Sequence, residues 1–341
     1  MSERRNERAR RAILKALAQA DGPAGSQRLC QAVQAMGLDV QPRTVRLHLL
    51  RLDREGLTRF VSRRRGRDLT DRGREELARS NVLEKVGFVA ARVNDLGYRM
   101  TFDPAGGTGS LVINVAELRE ADLPRATIHL EPVYQRRLSM GSRLALAREG
   151  ETLGGHLVSA GRAALGTVCS IALNGILLKR GIPVTSRFGG LLEWKAGRPE
   201  RFVELVEYRG TSVDPLELFI RAGMTRVLEC ARTGSGLIGA SFREVPTVAL
   251  DDLKRLLREL RTHGFGAVLA VGRPNQPLLD IPVTEGHTGI VVMGGLNPIA
   301  ALVEAGIPAA IRSLAGLEDY GRFTHFREIA FRARRESPLI D

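Results

Sequence analysis

Arginines at positions 43, 46, 51 and 54, and again at 63, 64, 65 and 67, are spaced to do one kind of chemistry. They can neutralise and bridge phosphates. In the stretch QPRTVRLHLLRLDREGLTRFVSRRRGRDLTDR, Val45, Leu49 and Leu52 follow the i, i+4, i+7 spacing of a buried helical stripe. At 100° per residue Arg43, Leu47, Leu50 and Arg54 fall opposite that stripe, with Thr44, Arg46 and Arg51 on its flanks. Pro42 suits a first helical position, Val40 and Val45 suit a hydrophobic staple, and Gly56 suits the residue after the end. Two short strands, 58–62 and 67–70, are expected to flank Arg63, Arg64, Arg65 and Gly66.

Such a helix can lie in a major groove while the arginine-tipped hairpin reaches phosphates. The elements before and after it complete the pattern. Glu7 to Ala20 reads as a helix with Ala9, Ile13 and Leu17 on one face. Ser26 is expected to cap a second helix, in which Leu29, Val33 and Met36 face inward and Gly37 ends the run. Thr70 opens another helix. Helix, helix, recognition helix, wing, helix is the order of a winged helix-turn-helix domain, assigned here to residues 1–80. The partner expected is double-stranded DNA.

Charge is distributed accordingly. The 341-residue chain carries 51 Lys+Arg and 38 Asp+Glu. Residues 1–80 hold 19 and 10 of these, so +9 of the formal +13 sits in the first quarter. A solvated tail would also be charged, but it would lack the apolar period and the caps. No apolar stretch approaches the roughly 18 residues of a membrane span, and MSERRNERARR leads into no signal-like apolar region. Cys30, Cys169 and Cys230 make no C-x-x-C pair, and the six histidines form no H-x-x-x-H pair. A soluble, cytoplasmic protein without a metal site is expected.

The remaining residues, 81–341, repeat themselves. Gly97-Tyr-Arg-Met-Thr-Phe corresponds to Gly223-Met-Thr-Arg-Val-Leu, and Gly107-Thr-Gly109 to Gly234-Ser-Gly236. Asn174-Gly-Ile-Leu-Leu corresponds to Asn297-Pro-Ile-Ala-Ala, and Gly181-Ile-Pro183 to Gly306-Ile-Pro308. Four pairs in one order predict two similar α/β halves, about 81–207 and 208–330. Each half is read as a helix (82–96 and 215–222), a strand, a Gly-x-Gly hairpin and a second strand, then later strand–loop–helix–strand. Asp214-Pro215 is a cap and first-turn pair, and Leu250, Leu253, Leu257 and Leu260 form one helical face stopped at Gly264. Alternating strands and helices predict a mixed or parallel sheet. The fold class expected is therefore α/β: a winged helix-turn-helix domain followed by an internally duplicated α/β effector domain.

The two strand-to-helix turns are the candidate ligand site of this body. Asn174 and Asn297 are read as helix caps, where free N–H groups and the helix dipole would receive a carboxylate or phosphate. Gly294 and Gly295 would let backbone approach closely, and Cys169, Ser170 and Arg187 could add donors. Enzyme chemistry finds little support. There is no G-x-S-x-G elbow and no phosphate loop with Gly-Lys-Ser/Thr, and GGTGSL at 106–111 precedes a strand rather than a helix.

RTVRLHLLRLDREGL with its arginine wing, GTVCSIALNGILLKRGIPVTSRFGGLLE and HTGIVVMGGLNPIAALVEAGIP together resemble the NrpR family of nitrogen-regulatory repressors. The likeness spans nearly the whole chain. It implies a homo-oligomeric repressor, dimer or tetramer, that binds palindromic operators of nitrogen-assimilation genes and releases them on binding 2-oxoglutarate. A small dicarboxylate of that kind suits the helix starts named above. Some family members carry two copies of the effector domain, whereas this chain has room for one. The alternative reading is a winged-helix RNA-binding or RNA-processing accessory protein.

Overall fold

The computed structural model describes residues 2–20, 22–80, 88–266 and 268–335. It divides into two compact units, Met1–Val86 and Gly87–Asp341. The division falls within segment 81–87, outside the described residues.

In the first unit, α1 (Ser2–Ala18), α2 (Ser26–Ala35) and α3 (Pro42–Arg54) precede the hairpin β1 (Thr58–Ser62) and β2 (Gly66–Leu69), and α4 (Asp71–Ser80) follows. Ala9, Ile13 and Leu17 of α1, Leu29 and Val33 of α2, and Val45, Leu49 and Leu52 of α3 share one buried core, as their periodicity required. Pro42 occupies the first helical position, and Gly56 takes the left-handed conformation (φ 73°) just past the cap Glu55. The Thr70 hydroxyl accepts the Gly73 N–H at 3.0 Å and so caps α4. Two expectations fail. Ser26 is already helical and Gly25 stands at the cap, while Met36 lies beyond α2 and is exposed. Once α2 ends at Ala35, the helical period no longer directs the next side chain inward.

The second unit contains α5 (Phe88–Arg99), β3 (Ser110–Arg119), α6 (Leu123–Gln135), β4 (Arg143–Arg148), a small hairpin β5 (Thr152–Leu153) and β6 (His156–Leu157), β7 (Arg162–Val168), α7 (Ala172–Lys179), β8 (Thr185–Lys195) and β9 (Arg198–Glu207). It continues with α8 (Pro215–Arg221), α9 (Val227–Thr233), β10 (Gly236–Pro246), α10 (Leu250–Thr262), β11 (Val268–Val271), β12 (His287–Met293), α11 (Asn297–Glu304), β13 (Ala310–Asp319), β14 (Thr324–His325) and α12 (Phe326–Arg335). The duplication is visible in lengths: α6 and α10 have 13 residues each, β7 and β12 seven, α7 and α11 eight.

Two five-stranded sheets result, ordered β11-β12-β10-β8-β9 and β13-β3-β7-β4-β14. Every pairing is antiparallel, which corrects the expected mixed or parallel sheet. The helical crossovers are real, since β3 returns through α6 to β4, and β10 through α10 to β11. In each case a third strand, β7 or β12, inserts between the two, so strands joined by a helix never touch. The halves are also not self-contained. The β8–β9 hairpin of the first half pairs with β10, and β13 of the second half pairs with β3. This reciprocal exchange places β3 and β10 inside their sheets, buried along nearly their whole length.

Further corrections are local. The described part of the helix expected at 82–96 runs from Phe88 past Gly97 to Arg99, because Gly97 faces Gly175 of α7 and serves close helix approach rather than termination; residues 82–87 lie outside the described residues. Among the described residues no strand leads into the Gly-x-Gly turns. At this place the first half has the isolated bridge Asp103 to Thr108, and the second has α9, ended by Gly234 at φ 87°. Asp214 does cap α8, accepting the Leu216 N–H at 2.9 Å behind Pro215. In α10, Leu253, Leu256 and Leu260 are buried and Leu257 is half-buried.

Candidate functional site

The first site is the outer face of α3 together with the β1–β2 wing. Arg43, Thr44, Arg46, Leu47 and Arg51 are all exposed there, and Leu47 and Leu50 are half bare to solvent. Leucines left on a cationic helix face do not serve the core, which holds Val45, Leu49 and Leu52. They suit thymine methyl groups in a groove. At the wing tip Arg63, Arg64 and Arg65 are exposed, and the Ser62 hydroxyl holds the turn by accepting the Arg65 N–H at 3.0 Å. Gly66 has φ 88°, and a Cβ there would overlap the Ala24 carbonyl. That close approach lets Arg67 exchange both backbone hydrogen bonds with Ala24, at 2.8 and 3.0 Å.

Arg67 departs from the expected phosphate contact. Its side chain turns inward, stacks over the Phe60 ring and donates Nε–H to Asp53 Oδ2 at 2.7 Å. Asp53 Oδ1 also accepts the Thr58 hydroxyl at 2.6 Å. One carboxylate at the end of α3 thus fixes both wing strands to the helix.

In the body, the turn after β7 and the turn after β12 meet. The Thr167 hydroxyl donates to the Gly295 carbonyl at 2.8 Å, and a Cβ on Gly295 would overlap Val168, Cys169 and Ser170 backbone. Gly294 similarly abuts the Gly239 carbonyl of β10. Cys169, Ser170, Gly294 and Gly295 therefore lie together where the two turns pack, all buried. Burial pushes the Cys169 thiol up to about 12, so it is a neutral thiol rather than a nucleophile.

Neither asparagine is a cap. α7 starts at Ala172, so Asn174 lies inside it, and α11 starts at Asn297 itself behind Leu296. The N–H groups of Ala172, Leu173 and Asn174 already bond to carbonyls three residues back. Asn297 is buried and closes on Gly239, accepting its N–H at 2.8 Å and donating to its carbonyl at 3.0 Å. The two asparagines are not counterparts either. The bounds of β7 and β12, and of α7 and α11, differ by 125 throughout, which sets Asn297 opposite Ala172 and Asn174 opposite Ile299. Arg187 also lies apart from the group: its guanidinium pairs with Glu244 at 2.7 Å and with the Pro282 carbonyl at 3.1 Å.

The residue missed was Arg243. It is fully buried in β10, and its Nη1 donates to Asn174 Oδ1, while Asn174 Nδ2 donates to Ser186 Oγ at 2.9 Å. Tyr208, Asp214 and Cys169, all buried, are its electrostatic neighbours. Burial raises the Asp214 carboxyl to about 6 against two backbone N–H bonds that pull it down, and burial followed by Asp214 lifts the Tyr208 phenol well above its ordinary value. The one available signal was a lone arginine inside the apolar run LIGASFREVP.

A family model described as "NrpR regulatory domains NRD1 and 2" matches residues 86–325, which include both five-stranded sheets and stop short of α12. The chain belongs to the NrpR family. A second model, "Ribonuclease R winged-helix domain", matches residues 11–77. The chain is 31% identical over 308 residues to a global nitrogen regulator NrpRI of Methanosarcina mazei, covering 90% of this chain and 94% of that one. It is 29% identical over 307 residues to a global nitrogen regulator NrpR of Methanococcus maripaludis, covering 90% of this chain but 53% of the longer relative. Among solved structures, a nitrogen repressor-like protein from Methanococcus jannaschii matches at a TM-score of 0.59 and 26% identity, over 70% of this chain and 98% of that one. Among the described residues, no helix is long and apolar enough to cross a membrane, and no group of three His, Cys, Asp or Glu could hold a metal.

Proposed function

We propose that this NrpR-family member is a ligand-responsive DNA-binding repressor of nitrogen-assimilation genes. Residues 1–80 bind operator duplex through α3 and the wing, and residues 81–341 form the effector and oligomerisation body. The observation that carries this reading is the outer face of α3. Four arginines, a threonine and two bare leucines stand there with no role in the core, beside a rigidly braced arginine loop. Arg43, Thr44, Arg46, Leu47 and Arg51 face bases and adjacent phosphates in the groove, and Arg63, Arg64 and Arg65 touch the backbone. A single winged helix makes few base contacts, so a homodimer on a palindromic site supplies the specificity.

The effector in this reading is a small dicarboxylate, 2-oxoglutarate, held in the body near Cys169, Ser170, Asn174, Gly294, Gly295 and Asn297. Release requires that it bind the DNA-incompetent arrangement more tightly than the competent one. Reciprocity then obliges operator DNA to weaken effector binding by the same factor, typically about 5–150-fold. Fluorescence anisotropy at one salt concentration, with duplex DNA and with structured RNA, each with and without 2-oxoglutarate, tests the whole reading. Preference for a palindromic duplex and loss of it with 2-oxoglutarate are expected. Tighter binding to RNA, in keeping with the name of the second matching model, would replace the repressor with an RNA-binding function.

A further inference from the structure

Arg243 sits in the middle of β10, hydrogen-bonded to β8 on one side and β12 on the other, and heads the largest fully buried side chains. A guanidinium carries five N–H donors and keeps its charge at any physiological pH. Asn174 Oδ1 satisfies Nη1, but Nε and Nη2 have no hydrogen-bond partner among the described residues. These two nitrogens share the edge of the guanidinium that closes on a carboxylate through two parallel bonds. Asp214 does not fill that role, since it is not within ion-pair distance and its Oδ1 is engaged in capping α8. Three further buried polar atoms in the same unit also lack a hydrogen-bond partner among the described residues: His129 Nδ1, and two that lie on the duplicate strands β10 and β3. The latter two are Ser241 Oγ, two residues earlier on β10, and Asn114 Nδ2, at the duplicate position on β3.

Buried N–H donors left without a hydrogen-bond partner are destabilising, so the retention of this arginine points to something that meets them. We propose that the Nε–Nη2 edge of Arg243 is the anchor of an internal anion site that takes one small carboxylate per chain. The site rests on the effector reading above and names the group that grips the ligand. Asn174 is a positioning residue: it holds Nη1 and leaves the two-pronged edge free. Ser241 supplies a hydroxyl beside it. The duplication breaks at this point. The position matching Arg243 in the first half is Ala116, and the one matching Asn174 in the second is Ile299. One anion per chain follows, not two.

The test uses the full chain in buffer free of carboxylate, phosphate and sulfate, read by thermal unfolding and calorimetry with succinate, 2-oxoglutarate and inorganic phosphate. Wild type should bind a carboxylate one per chain and melt at a higher temperature with it. Arg243→Lys keeps the charge but loses the fork, and should bind at least about tenfold more weakly. Arg243→Met should not respond to carboxylate, yet should melt at or above wild type without it, since an apolar side chain removes the unmatched charge. Asn174→Asp, which adds a resident negative charge beside Nη1, should weaken binding more than Asn174→Ala, an order that a merely structural asparagine would not give. A destabilised Arg243→Met together with unchanged carboxylate affinity in Arg243→Lys overturns the site. Should Arg243→Met fail to fold, unchanged affinity in both Arg243→Lys and Asn174→Asp overturns it equally, as does a wild type that no carboxylate binds. If 2-oxoglutarate frees DNA from wild type and Arg243→Lys alike, this site falls and the effector reading stands.

Discussion

Asp53 and Arg67 are joined by a 2.7 Å ion pair that fastens the wing to the end of α3. Both side chains are mostly shielded, so the pair escapes the solvent screening that makes surface ion pairs weak. It also turns inward an arginine that charge pattern alone had placed in the proposed phosphate-facing set. Asp53→Ala should destabilise the N-terminal unit by about 1–3 kcal/mol, because Arg67 and the Thr58 hydroxyl both lose their acceptor. A double-mutant cycle with Arg67→Ala, followed by thermal unfolding, should show clearly non-additive losses; additive ones would mean the pair does not form.

The wing tip behaves differently. Replacing Arg63 and Arg65 by alanine should weaken binding to every duplex and lower the slope of log K against log salt by about one unit per lost contact. Arg67→Ala should leave that slope nearly unchanged. Anisotropy over a salt series separates the two outcomes, and an equal drop for Arg67→Ala would show that the ion pair opens on DNA.

Gly295 packs without room for a side chain, its missing Cβ aimed at the backbone of 168–170. Gly295→Ala should cost about 1–3 kcal/mol through overpacking. Gly210→Ala, where nothing lies within 4 Å, should be near neutral. Denaturant unfolding of the two variants makes the comparison. Similar midpoints would refute the close contact of the two turns.

Stability should carry the signature of Asp214, whose folded carboxyl titrates at about 6, above its ordinary 3.8. A raised acid favours the folded state fully below pH 3.8, and that contribution is lost as pH rises through about 6. The groups interacting with it are Glu217, which raises it further, Arg243, which lowers it, and the buried Tyr208 and Cys169. Asp214→Asn retains a capping oxygen and removes the titration. Its melting temperature should exceed that of wild type at pH 7–8 and converge with it towards pH 4. A constant difference across that range would assign the effect to the cap instead.

Much of the first unit was legible because its information is local. The stripe Val45, Leu49 and Leu52, the punctuation by Pro42 and Gly56, and the Thr70 cap are each decided within one helical turn. Leu47 and Leu50 were placed on the outer face by angle alone, and they are exposed there. The duplication of the body was legible for the same reason, since glycine turns and apolar runs recur at nearly fixed spacing. Asn174 and Asn297 misled because a short Leu-Asn match in two sequences carries no register, and a shift of two residues turns a helical side chain about 200°.

What the sequence by itself determined, then, is which segments are helix or strand, which faces are apolar, where the cations cluster, and that the body is built twice. Tertiary structure alone decided three things: which strands pair, which arginines point inward, and where the two halves exchange strands. Pairing depends on contacts between residues far apart in the chain, such as β8 with β10 and β13 with β3, and no local period encodes them. The same distance in sequence hides Arg243 from Asn174, 69 residues earlier. Only when β10 is buried between its neighbours does an ordinary arginine in an apolar run become a cation whose Nε and Nη2 find no partner among the described residues.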